Sequence, residues 1–246
     1  MKKFTKGIWI CSYNKNNIEI IIESNIFDWL TIDLEHSAIS VNECFDLVSF
    51  IKAHKKECFV RMNDLNSSSI KKILDFGVDG LILPMVKNEE DLSGIIDSVY
   101  YPPKGSRGTG LFRAQRHGNK FKEYVNKEIH NTKIILQIEH IEAIDNLECF
   151  LENDDVYGLL IGPYDLSASL GMPGNFESND FIQALDRFEK LCLKSNKNIG
   201  FHLPHPNIEK YKALKDKGYN FIGYSTDIIL FQEQINLISE DLKQFD

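Results

Sequence analysis

Short apolar runs alternate along the chain with stretches in which apolar residues recur at helical spacing. The runs are apolar at consecutive positions rather than at every second one, which is typical of parallel strands buried on both faces. They predict eight strands, over residues 7–11, 27–33, 58–61, 79–84, 133–137, 157–161, 198–202 and 219–224.

A helix is predicted after each strand. Ser40 and Glu43 have the spacing of a capping box, which opens a helix that ends near Ala53, and Asn88 is a suitable N-cap after the fourth strand. Further helices are predicted over residues 17–23, 67–77, 141–151, 181–195, 208–217 and 228–243.

Eight strand–helix units in 246 residues favour an α/β fold with one domain, a closed (β/α)8 TIM barrel, over an open doubly wound sheet. Neither a GxGxxG motif nor a P-loop follows the first strand, which argues against a nucleotide-binding open sheet. Residues 100–110 interrupt the rhythm with two prolines and three glycines around Lys104 and Arg107. A turn-rich segment of this length predicts a functional loop.

Composition narrows the class of protein. The chain is 43% hydrophobic and carries a net charge of −8, which argues against binding to nucleic acid or to an anionic membrane. No apolar run approaches the roughly 20 residues needed to span a bilayer, and the first residues lack the apolar region of a signal peptide. The five cysteines are scattered and form no CxxC pair. We therefore expect reduced thiols in a cytoplasmic protein.

Polar residues collect where the predicted strands end, which in a barrel of this kind is the face that carries the active site. They are Asp33, Glu35, His36, Arg61, Gln137, Glu139, Asp165, His202, His205, Ser225 and Asp227. Strand ends meet solvent and are polar in any barrel, which explains some of these residues. The polarity of strand ends explains less well why both acidic and basic residues follow the apolar strands directly.

Glu139 and Asp165 follow neighbouring strands and offer hard oxygen ligands. Two carboxylates, completed by water and substrate oxygens, suit Mg²⁺ or Mn²⁺ better than zinc. The alternative is a pair of exposed or helix-capping acids. His202 and His205 lack the context of a HExxH motif, which argues against a second metal site.

Three further residues are candidates for catalysis. Arg61 offers a permanently charged fork to a carboxylate or to a developing enolate oxygen, or forms a structural ion pair. His36 can exchange protons near neutral pH, and Asp33 is placed to orient it. The alternative for His36 is a purely structural role.

Six motifs now appear together and in order. They are Asp33-Leu34-Glu35-His36, Val60-Arg61, Leu83-Pro84-Met85-Val86, residues 101–108 (YPPKGSRG), Gln137-Ile138-Glu139 and residues 162–171 (GPYDLSASLG). In these motifs the chain resembles the HpcH/HpaI family of class II, metal-dependent pyruvate aldolases. The resemblance extends from about Gly7 to Asp227. The resemblance implies a TIM barrel of the phosphoenolpyruvate/pyruvate type.

The resemblance also implies roles. Glu139 and Asp165 would bind the divalent ion, Mg²⁺, Mn²⁺ or Co²⁺, which pyruvate chelates. Gln137 would contact the keto acid, and the turn Gly162-Pro163-Tyr164 would receive its carboxylate through backbone amides. Arg61 would stabilise the enolate, and His36, supported by Asp33, would transfer the proton at the aldehyde or hydroxyl.

The implied reaction is aldol cleavage or condensation of a 4-hydroxy-2-oxo acid, which yields pyruvate and an aldehyde. The implied assembly is a homo-oligomer, a trimer or hexamer, in which the last helix packs on a neighbouring subunit. One alternative is an enzyme like citryl- or malyl-CoA lyase, and another is a catalytically silent barrel that serves as a binding subunit. The chain lacks an adenine-binding insertion, which favours the aldolase.

The chain departs from the family pattern at a few positions. Ser37 replaces the usual glycine, Tyr164 precedes the metal-binding Asp where a smaller residue is usual, and the segment around His202 and His205 is unusual. These departures predict a different aldehyde acceptor, with His202 among the residues that bind it. Drift in a loop is the alternative.

Overall fold

A computed structural model describes residues 2–245. Eight parallel strands pair in chain order, and β8 closes onto β1, so the predicted (β/α)8 barrel is confirmed. The strands are β1 Thr5–Ile10, β2 Trp29–Asp33, β3 Glu57–Arg61, β4 Gly80–Leu83, β5 Lys133–Ile138, β6 Val156–Ile161, β7 Asn198–Leu203 and β8 Phe221–Thr226.

Helices cover the outside of the barrel. They are α1 Lys15–Glu23, α2 Val41–Ala53, α3 Ser67–Asp75, α4 Glu89–Val99, α5 Phe121–Glu123, α6 Ile141–Asp145, α7 Leu147–Glu152, α8 Pro163–Ser169, α9 Asn179–Lys194, α10 Ile208–Lys217 and α11 Asp227–Leu242. Short 3₁₀ turns lie at Arg116–Gly118, Ile129–Asn131 and Lys243–Phe245, and Tyr124–Glu128 is a π-helical turn. In the described part of the chain, no helix is long and apolar enough to cross a membrane.

Local signals in the sequence explain where several helices begin. The predicted capping box forms, because Ser40 Oγ accepts from the Glu43 amide while the Glu43 carboxylate accepts from the Ser40 amide. Asn88 caps α4 through the amide of Asp91, as predicted. The cap therefore fixes the residue at which each of these two helices begins.

The prediction of one continuous helix over residues 141–151 is wrong. It breaks at Asn146 into α6 and α7. The Asn146 side chain donates to the carbonyls of Glu142 and Lys87, at 2.9 and 3.1 Å. By bonding a carbonyl of the preceding turn it competes with the continuing helix, as asparagine often does.

The apolar residues form two cores. One lies between the strands and the helices, and a smaller one fills the barrel with large rings, among them Trp9, Trp29, Phe59 and Phe221. The Trp29 ring stacks on Phe221 with centroids 4.2 Å apart. It lies where a side chain on Gly7 would stand, so glycine there makes room for it. This filled barrel supports a rigid rim at the carboxyl ends of the strands.

The predicted functional loop at residues 100–110 lies at the opposite, amino end of the barrel, before β5. Arg107 is fully buried there, and its guanidinium donates to Asp75 at 2.6 Å and to the Tyr124 hydroxyl at 3.2 Å. It also lies over the Tyr101 ring, 4.9 Å from the centroid. The loop thus forms a clasp that joins α3 to the turn at Tyr124–Glu128, and a functional role for it stays a prediction.

Candidate active site

A cavity of about 360 Å³ opens at the carboxyl ends of the strands. It contains eight of the ten predicted site residues, namely His36, Arg61, Gln137, Gly162, Pro163, Tyr164, Asp165 and His202. Trp9, Leu160, Ile161 and Pro204 complete its lining, which includes no lysine among the described residues. The other two predicted residues, Asp33 and Glu139, contact Arg61 and Gln137 respectively.

Arg61 is held in place by Asp33. The strands β2 and β3 pair with Asp33 opposite Arg61. The guanidinium then donates two parallel hydrogen bonds to the carboxylate, Nε to Oδ1 at 2.8 Å and Nη2 to Oδ2 at 2.6 Å. Because both side chains are largely buried, this charge-assisted fork fixes the direction in which Arg61 faces the cavity.

The expected support of the His36 ring by Asp33 is wrong. The Asp33 carboxylate accepts from the backbone amides of Glu35 and His36, at 3.0 and 3.3 Å, and from Arg61. In the described structure it makes no hydrogen bond to the imidazole, which is exposed and lies 3.9 Å from Glu35 Oε2. Asp33 is thus a positioning residue for Arg61 and for the loop after β2.

The charge on Asp33 is secured by these bonds. Burial alone would raise the pKa of Asp33, but Arg61 and the two backbone amides outweigh it, and the pKa lies below its ordinary value. Asp33 and Arg61 therefore stay ionised together at neutral pH.

Glu139 lies just past β5, at the edge of the cavity. It is 2% exposed. Its Oε1 accepts from the backbone amide of Met85 at 2.6 Å, and its Oε2 accepts from Gln137 Nε2. Gly162 is needed beside it, because a Cβ there would lie 2.9 Å from Glu139 Cβ.

The carboxylates around Glu139 repel one another. Burial, supplemented by the charges of Glu35 and Asp165, raises the pKa of Glu139 to about 7. Burial also raises the pKa of Glu35, and the charges of Asp33 and Asp165 act in the same direction while Arg61 opposes them. A cation placed near Glu139 and Asp165 would relieve this repulsion.

The residues present fit a divalent cation. Glu139 and Asp165 supply hard oxygen donors, and the buried Gln137 Oε1 has no hydrogen-bond partner in the described structure. No three His, Cys, Asp or Glu side chains among residues 2–245 converge on one metal position. The protein thus offers two carboxylates, and the remaining positions would be left to water and substrate, as is usual for Mg²⁺ and Mn²⁺.

The turn after β6 has the form of an anion cradle. Gly162 precedes α8, Pro163 occupies its first position, and Asp165 its third. The amides of Tyr164 and Asp165 are in the first turn, where N–H groups have no acceptor within the helix. Amides in this position are available to an anionic ligand, and binding of a substrate carboxylate there stays a prediction.

His202 forms the far wall of the cavity. Its ring stacks on Trp9, with centroids 4.2 Å apart, and its Nε2 lies 3.3 Å from the Ser225 carbonyl. Burial lowers the pKa of His202 to about 4. The imidazole is therefore neutral at pH 7, so it can exchange hydrogen bonds with a polar ligand without adding charge.

Three contributors to the rim were not assigned a role from the sequence. The Met85 amide, in a residue with a left-handed φ of 54°, anchors Glu139. Glu35 forms an ion pair with Arg61, whose Nη1 lies 3.4 Å from Glu35 Oε2. Asp227 accepts from the amides of Cys11 and Ser12, at 2.8 and 3.2 Å, and so joins the loop after β1 to β8. Their motifs were visible in the sequence, but their contacts depend on the closed barrel.

The fold and this rim define a barrel enzyme in which the fixed guanidinium of Arg61 shares the active site with the carboxylates of Glu139 and Asp165. The model of the HpcH/HpaI aldolase/citrate lyase family matches residues 5–233, and the chain belongs to this family. It is 31% identical over 233 residues to the 2-keto-3-deoxy-L-rhamnonate aldolase of Klebsiella pneumoniae, which covers 94% of this chain and 85% of that one.

Solved structures agree on the fold. An HpcH/HpaI aldolase/citrate lyase family protein from Burkholderia cenocepacia has a TM-score of 0.90 at 22% identity and covers 98% of this chain and 95% of that one. The HpcH/HpaI aldolase from Desulfitobacterium hafniense has a TM-score of 0.86 at 24% identity, with coverage of 98% and 93%. Family membership and the aldolase relatives confirm the prediction of a carbon–carbon lyase, a class II pyruvate aldolase.

Proposed function

We propose that this enzyme cleaves a 2-keto-3-deoxy sugar acid into pyruvate and an aldehyde, with a divalent cation held by Glu139 and Asp165. The observation that carries the proposal is that Arg61, Gln137 and Asp165 line the same cavity. Asp33 holds the Arg61 guanidinium in place, and Glu139 is hydrogen-bonded to Gln137. The aldolase relatives support the substrate class, since their names state a 2-keto-3-deoxy acid.

The chemistry requires one proton to leave and one to return. In cleavage the 4-hydroxyl gives up its proton, the C3–C4 bond breaks, and the aldehyde departs. The electron pair of that bond forms the enolate of pyruvate, which then takes a proton at C3. When bound, the divalent cation supplies Lewis-acid polarisation of the keto oxygen.

The residues of the chain have separate tasks in this scheme. Arg61 places permanent positive charge where the enolate oxygen develops, and Asp33 keeps it there before the substrate arrives. The amides of Tyr164 and Asp165 receive the substrate carboxylate, and Gln137 orients the keto acid. The exposed ring of His36 carries the proton to and from the 4-oxygen.

Exchange of the pyruvate methyl protons tests this proposal without knowledge of the aldehyde. The protein is incubated with pyruvate in D₂O and Mg²⁺ or Mn²⁺, and the methyl signal is followed by NMR. We expect exchange that EDTA abolishes and that Glu139→Ala removes, while the matched variant Glu142→Ala, at an exposed position of α6, retains it. Absence of exchange with every divalent ion would contradict the enolate mechanism and favour a silent barrel.

A second assay concerns the substrate. Pyruvate release from 2-keto-3-deoxy-L-rhamnonate is measured beside release from a 4-hydroxy-2-oxo dicarboxylic acid. We expect cleavage of the sugar acid, because the neutral ring of His202 offers hydrogen bonds rather than charge at the acceptor side. Preference for the dicarboxylic acid by tenfold or more would contradict this choice of substrate class.

Two further predictions concern the whole protein. A homo-oligomer, a trimer or hexamer, is supported by the apolar side chains that α11 exposes, namely Ile228, Phe231, Ile235, Leu237 and Ile238. Light scattering during size exclusion would measure it. The cytoplasmic location stays a prediction from the sequence.

A further inference from the structure

An apolar groove of about 460 Å³ lies next to the catalytic cavity. The two spaces share the residues Pro163, Tyr164, His202 and Pro204. The groove extends from this common wall between α9 and α10. The groove therefore adjoins the catalytic cavity at the side where α8 and the loop after β7 meet.

Aromatic side chains form the part of the groove nearest the cavity. The rings of Tyr164 and Phe176 meet edge to face, with centroids 5.0 Å apart and an interplanar angle of 85°. Phe176 in turn packs against buried Phe181 at 5.3 Å. Phe176 is thus held from behind while 37% of it stays exposed to the groove. Such supported rings present a rigid apolar surface.

The charged groups along the groove already have partners. Lys217 Nζ lies 2.9 Å from both carboxylate oxygens of Glu189. Lys210 Nζ lies over the Phe201 ring, 5.1 Å from its centroid. A ligand with a carboxylate would have to compete with Glu189 for Lys217, whereas an uncharged apolar ligand would leave both contacts in place.

We infer that this groove is a distal acceptor subsite that the fragment of a short sugar acid does not reach, and that it binds the uncharged apolar or aryl tail of longer aldehydes in aldol addition. The inference rests on the proposed aldolase function, since the tail enters the groove only when its carbonyl carbon is in the catalytic cavity. Phe176 is then a specificity-determining residue. It acts on the tail and not on the bond that breaks or forms.

Competition between two acceptors measures this. Aldol addition of pyruvate is followed with 3-phenylpropanal, which has an uncharged aryl tail, and with lactaldehyde, which has none. The variants are Phe176→Ala and the matched control Phe112→Ala, which removes a ring of 38% exposure far from the groove. The ratio of the two kcat/KM values is taken on each preparation, so that a partly folded sample affects both acceptors equally.

We expect Phe176→Ala to lower the ratio of phenylpropanal to lactaldehyde about fivefold to tenfold, because a ring contact is worth about 1 to 1.4 kcal/mol. Phe112→Ala should leave the ratio within twofold of the unaltered enzyme. Ala213→Trp, which adds a large ring to the groove lining from α10, should lower the ratio in the same way.

Pyruvate exchange in D₂O separates the two levels of the proposal. If exchange is present but Phe176→Ala and Ala213→Trp both leave the ratio unchanged, the subsite is wrong and the aldolase function stands. The same holds if the unaltered enzyme exchanges pyruvate protons and does not use 3-phenylpropanal. If exchange itself is absent, the proposed function fails and the acceptor subsite fails with it.

Discussion

The two ends of the barrel use charge in opposite ways. At the amino end, a larger cavity of about 740 Å³ is lined by charged residues that, apart from Arg113, are paired with one another. Lys52 bonds Asp79 at 2.6 Å, and Lys133 bonds Glu57 at 2.6 Å. At the carboxyl end, burial raises the pKa of Glu139 and of Glu35, and the nearby charge of Asp165 adds to both shifts.

This difference shows which charges serve stability and which are available for chemistry. Pairs at the amino end neutralise each other, so a ligand gains little by entering there, despite the larger volume. At the carboxyl rim, Gln137 Oε1 is buried without a hydrogen-bond partner in the described structure. Unsatisfied buried groups of this kind are costly, and a bound ligand can satisfy them.

The largest effect is expected at Arg61 of the carboxyl rim. Arg61→Lys keeps a positive charge but loses the two-pronged contact with Asp33, so the charge is no longer fixed beside the enolate. We expect pyruvate proton exchange to fall about 100- to 1,000-fold, as when an oxyanion-stabilising donor is removed.

The control for Arg61 is at the amino end. Lys133→Arg changes a cation of the Glu57 pair and should leave the exchange rate within twofold. Binding of the divalent ion should be retained in both variants. Loss of ion binding with turnover retained in Arg61→Lys would show that its role is different.

The next effect is expected at the amino-end clasp, where stability rather than activity should respond. Arg107→Met leaves the Asp75 carboxylate without its buried partner, and we expect the free energy of unfolding to fall by about 3 kcal/mol or more. Urea denaturation measures this. Lys104→Met, which removes a more exposed pair with Asp155, should cost about 1 kcal/mol or less.

Exchange of pyruvate protons gives the second readout for Arg107→Met. Folded enzyme should keep its rate, because the clasp lies at the opposite end of the barrel from the cavity. A variant that stays as stable as the parent but loses exchange would remove the distinction between the two ends.

A smaller effect is expected from His202 on the pH dependence of stability. The pKa is about 4 in the folded protein against about 6.5 for a free histidine, so the unfolded chain binds the proton more tightly. Stability is therefore lost as the pH falls from 6.5 towards 4, by up to about 3 kcal/mol. Denaturation curves of His202→Leu should show a shallower decline over this range.

Exposed His205 supplies the comparison for this pH effect. It lies 3.5 Å from Glu233, and His205→Leu should keep the pH profile of the parent protein. An equal change in both variants would indicate a general effect of charge and not the burial of His202.

The barrel could be predicted from sequence because each strand is a continuous apolar run. Its details could not. Ser225 and Thr226 belong to β8, which was predicted to end at residue 224, because the closed barrel pairs and buries these polar residues. The segment that includes Tyr124–Glu128 forms π and 3₁₀ turns, and no simple periodicity announces these.

The sequence predicted which residues form the site better than it predicted the contacts between them. Strand ends in sequence order indicate which residues share the rim. Which of them bond each other depends on register, and the pairing of Asp33 with Arg61 follows from their facing positions on β2 and β3. The expected bond from Asp33 to the His36 ring failed for this reason. Similarly, the clasp at Arg107 depends on Asp75, more than thirty residues away in sequence.

Titration with Mn²⁺ tests most directly whether the carboxyl rim holds a cation. Binding is followed by electron paramagnetic resonance in the parent protein, in Glu139→Gln, in Asp165→Asn and in the control Glu142→Gln. We predict one bound ion per chain in the parent and in the control, and affinity at least tenfold weaker in the other two. Full affinity in both Glu139→Gln and Asp165→Asn would contradict a cation held by these carboxylates.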